Sequence, residues 1–357
     1  MITSLKAKQI LDSRGKPTVE VELETNKGIF IASAASGTSE GKYEAKEVKT
    51  EKAVSNINQI IGPKLIGKDP TRQKEIDESM PKKLGANAIL AISIAICRVG
   101  AAVQGLPLYK YINKIYRDPV SVGLPVPCVL LIEGGLHAQN NLDFQEFMVV
   151  AEFEKAKEVY QKLGDILKTG TGLEGGFAPQ ISEPEKALDL IMEAAGDKEI
   201  AIGIDCAASH FKKGKYNIDF YQNLVKKYPI VFLEDPFGED DWQNWQELNS
   251  KLLLVADDLT ATNPKRIKLA KKKNACGGIV IKPDQVGTIT ETLEAVRLAK
   301  SFGWKIIVSH RSGETKDDFI SDLGVGVGAD FIKAGAPSQP ERLAKYERLI
   351  KIREEYA

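Results

Sequence analysis

The sequence predicts an α/β chain in two parts, a smaller α+β unit followed by a (β/α)8-type barrel. Three observations carry this. Two alternating runs, "TVEVELET" (Thr18–Thr25) and "GIFIASAA" (Gly28–Ala35), flank the turn-forming "TNKG" and read as a β-hairpin. "YRDPVSVGLPVP" (Tyr116–Pro127) breaks both the helical and the strand period and marks a boundary. Beyond it, short apolar runs recur, each closing on a polar residue: Asp205, Glu234, Asp257, Lys282, His310 and Lys333, at intervals of 29, 23, 25, 28 and 23.

In chain order, the hairpin comes first and helical patterns follow from about Glu44 to Gln104. The most apolar stretch, Ala88–Val103, contains Ser93 and Arg98 and reads as a buried helix of small residues rather than a membrane span. After the boundary, "PCVLLIE" and "EFMVVAE" add two strands to the six periodic ones. The gaps carry helix signals. Asn263 can cap, and Pro264 can begin, the helix "PKRIKLAKKK". Strand, helix, strand at this pitch implies parallel strands. Residues 123–357 number 235, near the ~250 typical of such barrels. The predicted domains are therefore 1–118 and 123–357.

Composition bounds the partners. Lys+Arg and Asp+Glu both number 49, so no charge excess points to nucleic acid or an anionic membrane. Cys97, Cys128, Cys206 and Cys276 form no close-spaced pair, and the start of the chain lacks an apolar leader core. Both fit reduced thiols and a cytoplasmic location.

Barrel strands deliver their carboxyl ends to one rim, where active sites lie. Asp205, Glu234 and Asp257 close three successive runs there. Three converging carboxylates repel unless a cation joins them, and an all-oxygen set with only three histidines in the chain favours Mg²⁺ over zinc. Any one of these acids alone would more commonly be a helix cap or salt-bridge partner. Lys282 and Lys333 follow on later strands. Near a dication and a second lysine, a lysine's pKa falls and it can serve as a base; neutralising a neighbouring acid is the plainer role. A metal opposite a lysine suits proton abstraction from carbon beside a carboxylate. "GLEGGFAP" sets Glu174 among glycines. "SGTSEG" (Ser36–Gly41) can form a lid or touch phosphate, and "SHRSGET" places Arg311 and Ser312 beside His310, a pairing suited to phosphate or carboxylate.

Ten ordered motifs, among them "ILDSRGKPTVEVE", "KLGANAILAISIA", "GGLHAQNNLDFQEFM", "LEDPFGEDDW", "VADDLTATNPKRI" and "KAGAPSQPERLAKYERL", make the chain resemble the enolases along nearly its whole length. The resemblance implies Mg²⁺-dependent dehydration of 2-phosphoglycerate to phosphoenolpyruvate, with two Mg²⁺ per site. Asp205, Glu234 and Asp257 match the ligands of the tighter metal, and Ser39 matches a lid group joining the second. Lys282 matches the base. Glu174 matches the acid that protonates the departing hydroxyl, assisted by Glu146, whose charge is expected to raise the Glu174 pKa. Lys333, His310, Arg311 and Ser312 match groups around the substrate carboxylate and phosphate, and His137 and Gln145 match substrate-side groups. A homodimer or ring of dimers is implied, with no nucleic-acid or membrane partner.

The chain departs from the family pattern. It is shorter, near Met80–Lys83, before Gly172 and after "DCAASHF". Leu173 stands for Asp, Glu133 for Asn, Glu40 for a lid Thr, Pro283-Asp284 for Val-Asn, and Gln339-Pro340 for Arg-Ser. The alternatives to a working enolase are a catalytically impaired paralogue that binds or builds, and another enolate-forming lyase of the superfamily.

Overall fold

The computed structural model describes residues 1–37, 41–116, 123–211, 214–249 and 252–356. The first part is a three-stranded antiparallel sheet, β1 (Ile2–Leu11), β2 (Pro17–Thr25) and β3 (Gly28–Ser33), ordered β1-β2-β3. The expected hairpin is β2–β3. β1 escapes the sequence reading because only Ile2 and Leu5 are buried along it, so it shows no period of two. Val19, Val21 and Leu23 of β2 are fully buried, and this face packs on the helix Ala86–Gln104. That helix is long and apolar enough to cross a membrane, and 83% of its 18-residue apolar window lies inside the fold. The preceding helical stretch breaks into short pieces, Thr50–Asn56, a π-turn at Ile57–Ile61, Gly62–Leu65 and Gln73–Ser79.

Eight strands close the barrel: β4 (Val126–Glu133), β5 (Glu146–Val150), β6 (Ala201–Asp205), β7 (Ile230–Glu234), β8 (Leu254–Ala256), β9 (Gly278–Ile281), β10 (Lys305–Ser309) and β11 (Phe331–Lys333). All eight runs read from the sequence are strands. The uniform parallel order is not met, because β5 runs antiparallel to both β4 and β6. The stretch between β4 and β5 carries only a short turn at Gly135–His137, too little for a helical crossover, so the chain folds straight back. Two helices, Phe153–Leu167 and Pro184–Ala195, then separate β5 from β6.

The reversal places the site. Glu146 begins β5, yet it sits at the rim where the other strands end. The ladder pairs Glu133 with Glu146, Glu146 with Asp205, and Asp205 with Glu234. Four adjacent strands thus carry an acid on one rung.

The sheet unit is bound to this rim. Arg98 forks onto Asp317 at 2.7 and 2.8 Å, and Ser33 N–H donates to the same carboxylate at 3.0 Å. Ser36 and Gly313 exchange two backbone hydrogen bonds of 2.9 Å. Arg14 donates to Gly37 O, Ser36 Oγ and Ser312 Oγ at 3.1, 2.8 and 3.2 Å. The start of the "SGTSEG" loop is therefore tied to the segment after β10.

Candidate active site

A cavity of roughly 650 Å³, counted to its open mouth, lies at the rim. It is lined by His137, Gln145, Glu146, Glu174, Asp205, Asp257, Lys282, His310, Arg311, Ser312 and Lys333. Every predicted site residue in the described part of the chain lines it except Glu234. Glu234 lies beneath the floor, fully buried, and is reached through Lys333. Ser39 lies outside the described residues.

Lys333 holds the acidic rung together. Its Nζ donates to Glu234 at 2.9 and 3.0 Å and to Asp205 at 3.3 Å, and it stands 3.1 Å from Glu146. Lys282 pairs with Asp257. Asp257 also accepts from Gln285 Nε2 at 3.3 Å. Asp257 and Asp258 follow β8, and their backbone is held by Asp235, which follows β7. Its backbone is left-handed (φ 41°), a costly state for a residue other than glycine, and its carboxylate accepts the N–H groups of Asp257 (3.1 Å) and Asp258 (2.6 Å). That clamp bends the chain off the end of β8 and fixes where Asp257 points.

Glu174 rides a loop built on Glu133. The Glu133 carboxylate is fully buried and accepts N–H from Glu174 at 3.1 and 3.2 Å and from Gly176 at 2.5 Å. Gly175 is left-handed (φ 87°), and a Cβ on Gly176 would lie 2.9 Å from Glu133 Cγ, so the glycines let the loop close over that carboxylate. The Asn-to-Glu departure at position 133 thus places a buried acid directly behind the predicted catalytic one. Glu174 itself lies 3.0 Å from His310 Nε2 and 3.6 Å from His137 Nδ1. Among the described residues, Glu174 Oε2 and His137 Nδ1 are buried with no well-directed hydrogen-bond partner.

Arg311 stands at the phosphate side expected of "SHRSGET", 2.6 Å from Asp284 and 3.3 Å from Glu44. Strand-end reading misses Glu44, Asp235, Asp258, Gln285 and Arg342. Arg342 comes from the C-terminal helix Pro340–Tyr356 and is fully buried. Its Nη1 lies 2.5 Å from His310 Nδ1, and it donates to Arg311 O and Ser312 O at 2.5 and 2.7 Å. An arginine offers only donors, so His310 Nδ1 is the acceptor and Nε2 carries the hydrogen that faces Glu174. The sequence signal for Arg342 is an arginine where the helix turns its buried side inward, in "PERLAKY".

Family models of the enolase N-terminal domain and of the enolase C-terminal TIM barrel domain match residues 2–112, and 121–220 and 215–357, respectively. The chain belongs to the enolase family. Enolase B of Dictyostelium discoideum is 44% identical over 420 aligned positions, spanning 99% of this chain and 95% of its own length. An enolase of Solanum lycopersicum is 42% identical over 423 positions with the same coverage. Both alignments exceed the 357 residues here, so those enolases carry segments that this chain lacks. The chain is accordingly a carbon–oxygen lyase of the phosphopyruvate hydratase kind.

The electrostatics of this enolase-family site correct one expectation. Burial would lower the Lys282 pKa, but Asp257 outweighs it and the net direction is up. The expected lowering is that of a lysine beside a dication. Burial would also raise Glu174, but His310 and His137 outweigh it and hold the carboxyl well below the usual range. Glu146, rather than Glu174, is pushed up, by burial, Glu174 and Asp205, to about 8. His310 is depressed to about 4 by burial and by Arg342. Glu234 is raised well above the carboxylate range by burial, then by Asp205 and Asp257.

This last direction tests the fit of a metal. Even with Lys333 in place, the rung is short of positive charge, and its donors are all carboxylate oxygens of adjacent strands. That is the chemistry of a hard dication. The expected trio Asp205, Glu234 and Asp257 does not form the tightest cluster. Ligand atoms within 4.8 Å of one another belong to His137, Glu146 and Glu174, and to Asp235, Asp257 and Asp258.

Proposed function

We propose that the chain dehydrates 2-phosphoglycerate to phosphoenolpyruvate with Mg²⁺ held by Asp205, Glu234 and Asp257. The observation that carries this reading is the joining, in one rim cavity, of Lys282, Lys333, Glu146, Glu174 and the buried Arg311. When bound, Mg²⁺ neutralises the substrate carboxylate, so that charge can develop on it as the α-proton leaves.

The chain's own groups supply the rest. Lys333 holds the substrate carboxylate beside the acidic rung. Lys282 takes the α-proton. Its attachment to Asp257 holds its pKa up, and a cation held by Asp257 would compete for that carboxylate and lower the lysine towards the range of a base. Arg311 and Ser312 hold the phosphate, with Gln145 and His137 closing the substrate side.

Hydroxide leaves poorly, so a proton must reach the 3-hydroxyl through Glu174. Glu146 is the acid that keeps a proton near neutral pH, by virtue of its raised pKa of about 8. His137 Nδ1 stands between the two carboxyls, 3.7 Å from Glu146 and 3.6 Å from Glu174. Glu146 therefore stores the proton, and Glu174 delivers it.

Four unpaired buried cysteines support a reducing, cytoplasmic setting within the same reading, and the family resemblance supports a dimer or ring of dimers. Turnover of 2-phosphoglycerate followed by the ultraviolet absorbance of the enol product, with Mg²⁺ and against EDTA, tests the proposal. Metal-dependent product formation is expected. Folded protein with Mg²⁺ and no turnover would refute it.

A further inference from the structure

Arg311 is not free to meet an anion. Its Nη1 lies 2.6 Å from Asp284, and its Nη1 and Nη2 lie 3.4 and 3.3 Å from Glu44. Asp284 and Arg311 are 6% and 8% exposed, so this charge cluster is screened little by solvent. Asp284 belongs to the short turn Pro283–Gln285 that follows Lys282, and it stands behind the guanidinium rather than on the cavity wall. One cation between two carboxylates leaves a net negative cluster at the point where the substrate phosphate docks.

We propose that Asp284 is a specificity-determining residue that weakens the hold of Arg311 on the substrate phosphate. This deepens the proposed function and rests on its assignment of the phosphate to Arg311. Asp284 acts by charge rather than by placing the side chain. Glu44 already locates the guanidinium. Arg311 N–H is itself fixed by Glu314 Oε1 at 3.0 Å, and Arg342 holds the Arg311 carbonyl at 2.5 Å. A phosphate dianion on Arg311 meets the Asp284 charge across one guanidinium. At a separation of about 6 Å, this repulsion would amount to about a tenfold change in affinity even under the full screening of water, so about tenfold is its lower bound in this buried cluster.

Asp284→Asn removes the charge and keeps the size and shape of the side chain. Calorimetric titration of the full-length protein with inorganic phosphate at low ionic strength reads the effect directly. Asp284→Asn is expected to bind phosphate about tenfold more tightly than wild type, and KM for 2-phosphoglycerate is expected to fall by a similar factor. Asp284→Ala, which removes charge and side chain together, is expected to tighten binding as well, and Arg311→Ala to abolish it. Unchanged or weaker phosphate binding in folded Asp284→Asn overturns the proposal, as does phosphate binding that survives Arg311→Ala. The two readings fail separately. Tighter phosphate binding without any turnover of 2-phosphoglycerate by wild type sinks the hydratase reading alone, whereas wild-type turnover with unchanged phosphate affinity in Asp284→Asn sinks the Asp284 assignment alone.

Discussion

Replacing Lys333 with methionine keeps the length of the side chain and removes the charge that Glu146, Asp205 and Glu234 share. All four residues are at most 3% exposed. Breaking a buried pair by deleting one partner costs about 3–5 kcal/mol, because the other charge stays buried and unpaired. Here three acids lose one lysine, and protonation limits the loss. Glu146 and Glu234 are already raised, so they take up protons and give back about 1.4 kcal/mol per pH unit for each proton bound. The native variant then binds more protons than its unfolded chain above the ordinary carboxylate range, so its stability falls as pH rises. Urea unfolding in EDTA at about pH 6 and about pH 8 measures this. Lys333→Met is expected to be less stable at both, with the larger deficit at the higher pH, and excess Mg²⁺ is expected to narrow the gap. Equal stability to wild type at both pH values would show that Lys333 does not carry the rung's charge.

Three further outcomes are expected. Lys282→Ala should lose on the order of 10²–10⁴-fold in turnover, the range for a general base, while still gaining thermal stability from Mg²⁺; normal turnover would refute its role. His310, depressed to about 4 against about 6.5 unfolded, makes the unfolded chain bind more protons between those values. Its contribution of about 3 kcal/mol is therefore complete above pH 6.5 and lost as pH falls towards 4, and His310→Asn should flatten that part of the stability profile. Glu133→Leu should leave the Glu174 and Gly176 amides unpaired, at about 1–3 kcal/mol each, and melting at unchanged temperature would refute the clamp.

Much of this was legible in the sequence because a barrel strand announces itself twice, by an apolar run and by the polar residue at its end. That signal places Asp205, Asp257, Lys282, His310 and Lys333 on one rim without any contact information. It fails where function comes from elsewhere. Arg342 sits on a helix, Glu44 comes from the N-terminal part, and Asp235 acts one residue past its strand through a strained turn. The direction of β5 was also hidden, since an apolar run of five residues reads the same both ways. The pKa order of Glu174 and Glu146 depends on which histidine faces which carboxyl, and spacing along the chain does not encode that.

The rung formed by Glu133, Glu146, Asp205 and Glu234 also bears on how this chain could be shorter than its relatives. Its members are strand residues, set by ladder register rather than by the loops that join them. Length can be shed between helices, or between a strand and the helix that follows it, without moving any of the four. A single residue lost within Phe147–Val150 would differ in kind: side chains alternate faces, so such a slip would turn Glu146 away from the rim if the far end of β5 held its pairing. The barrel thus divides its sequence into stretches where length is negotiable and short strands where it is counted to the unit.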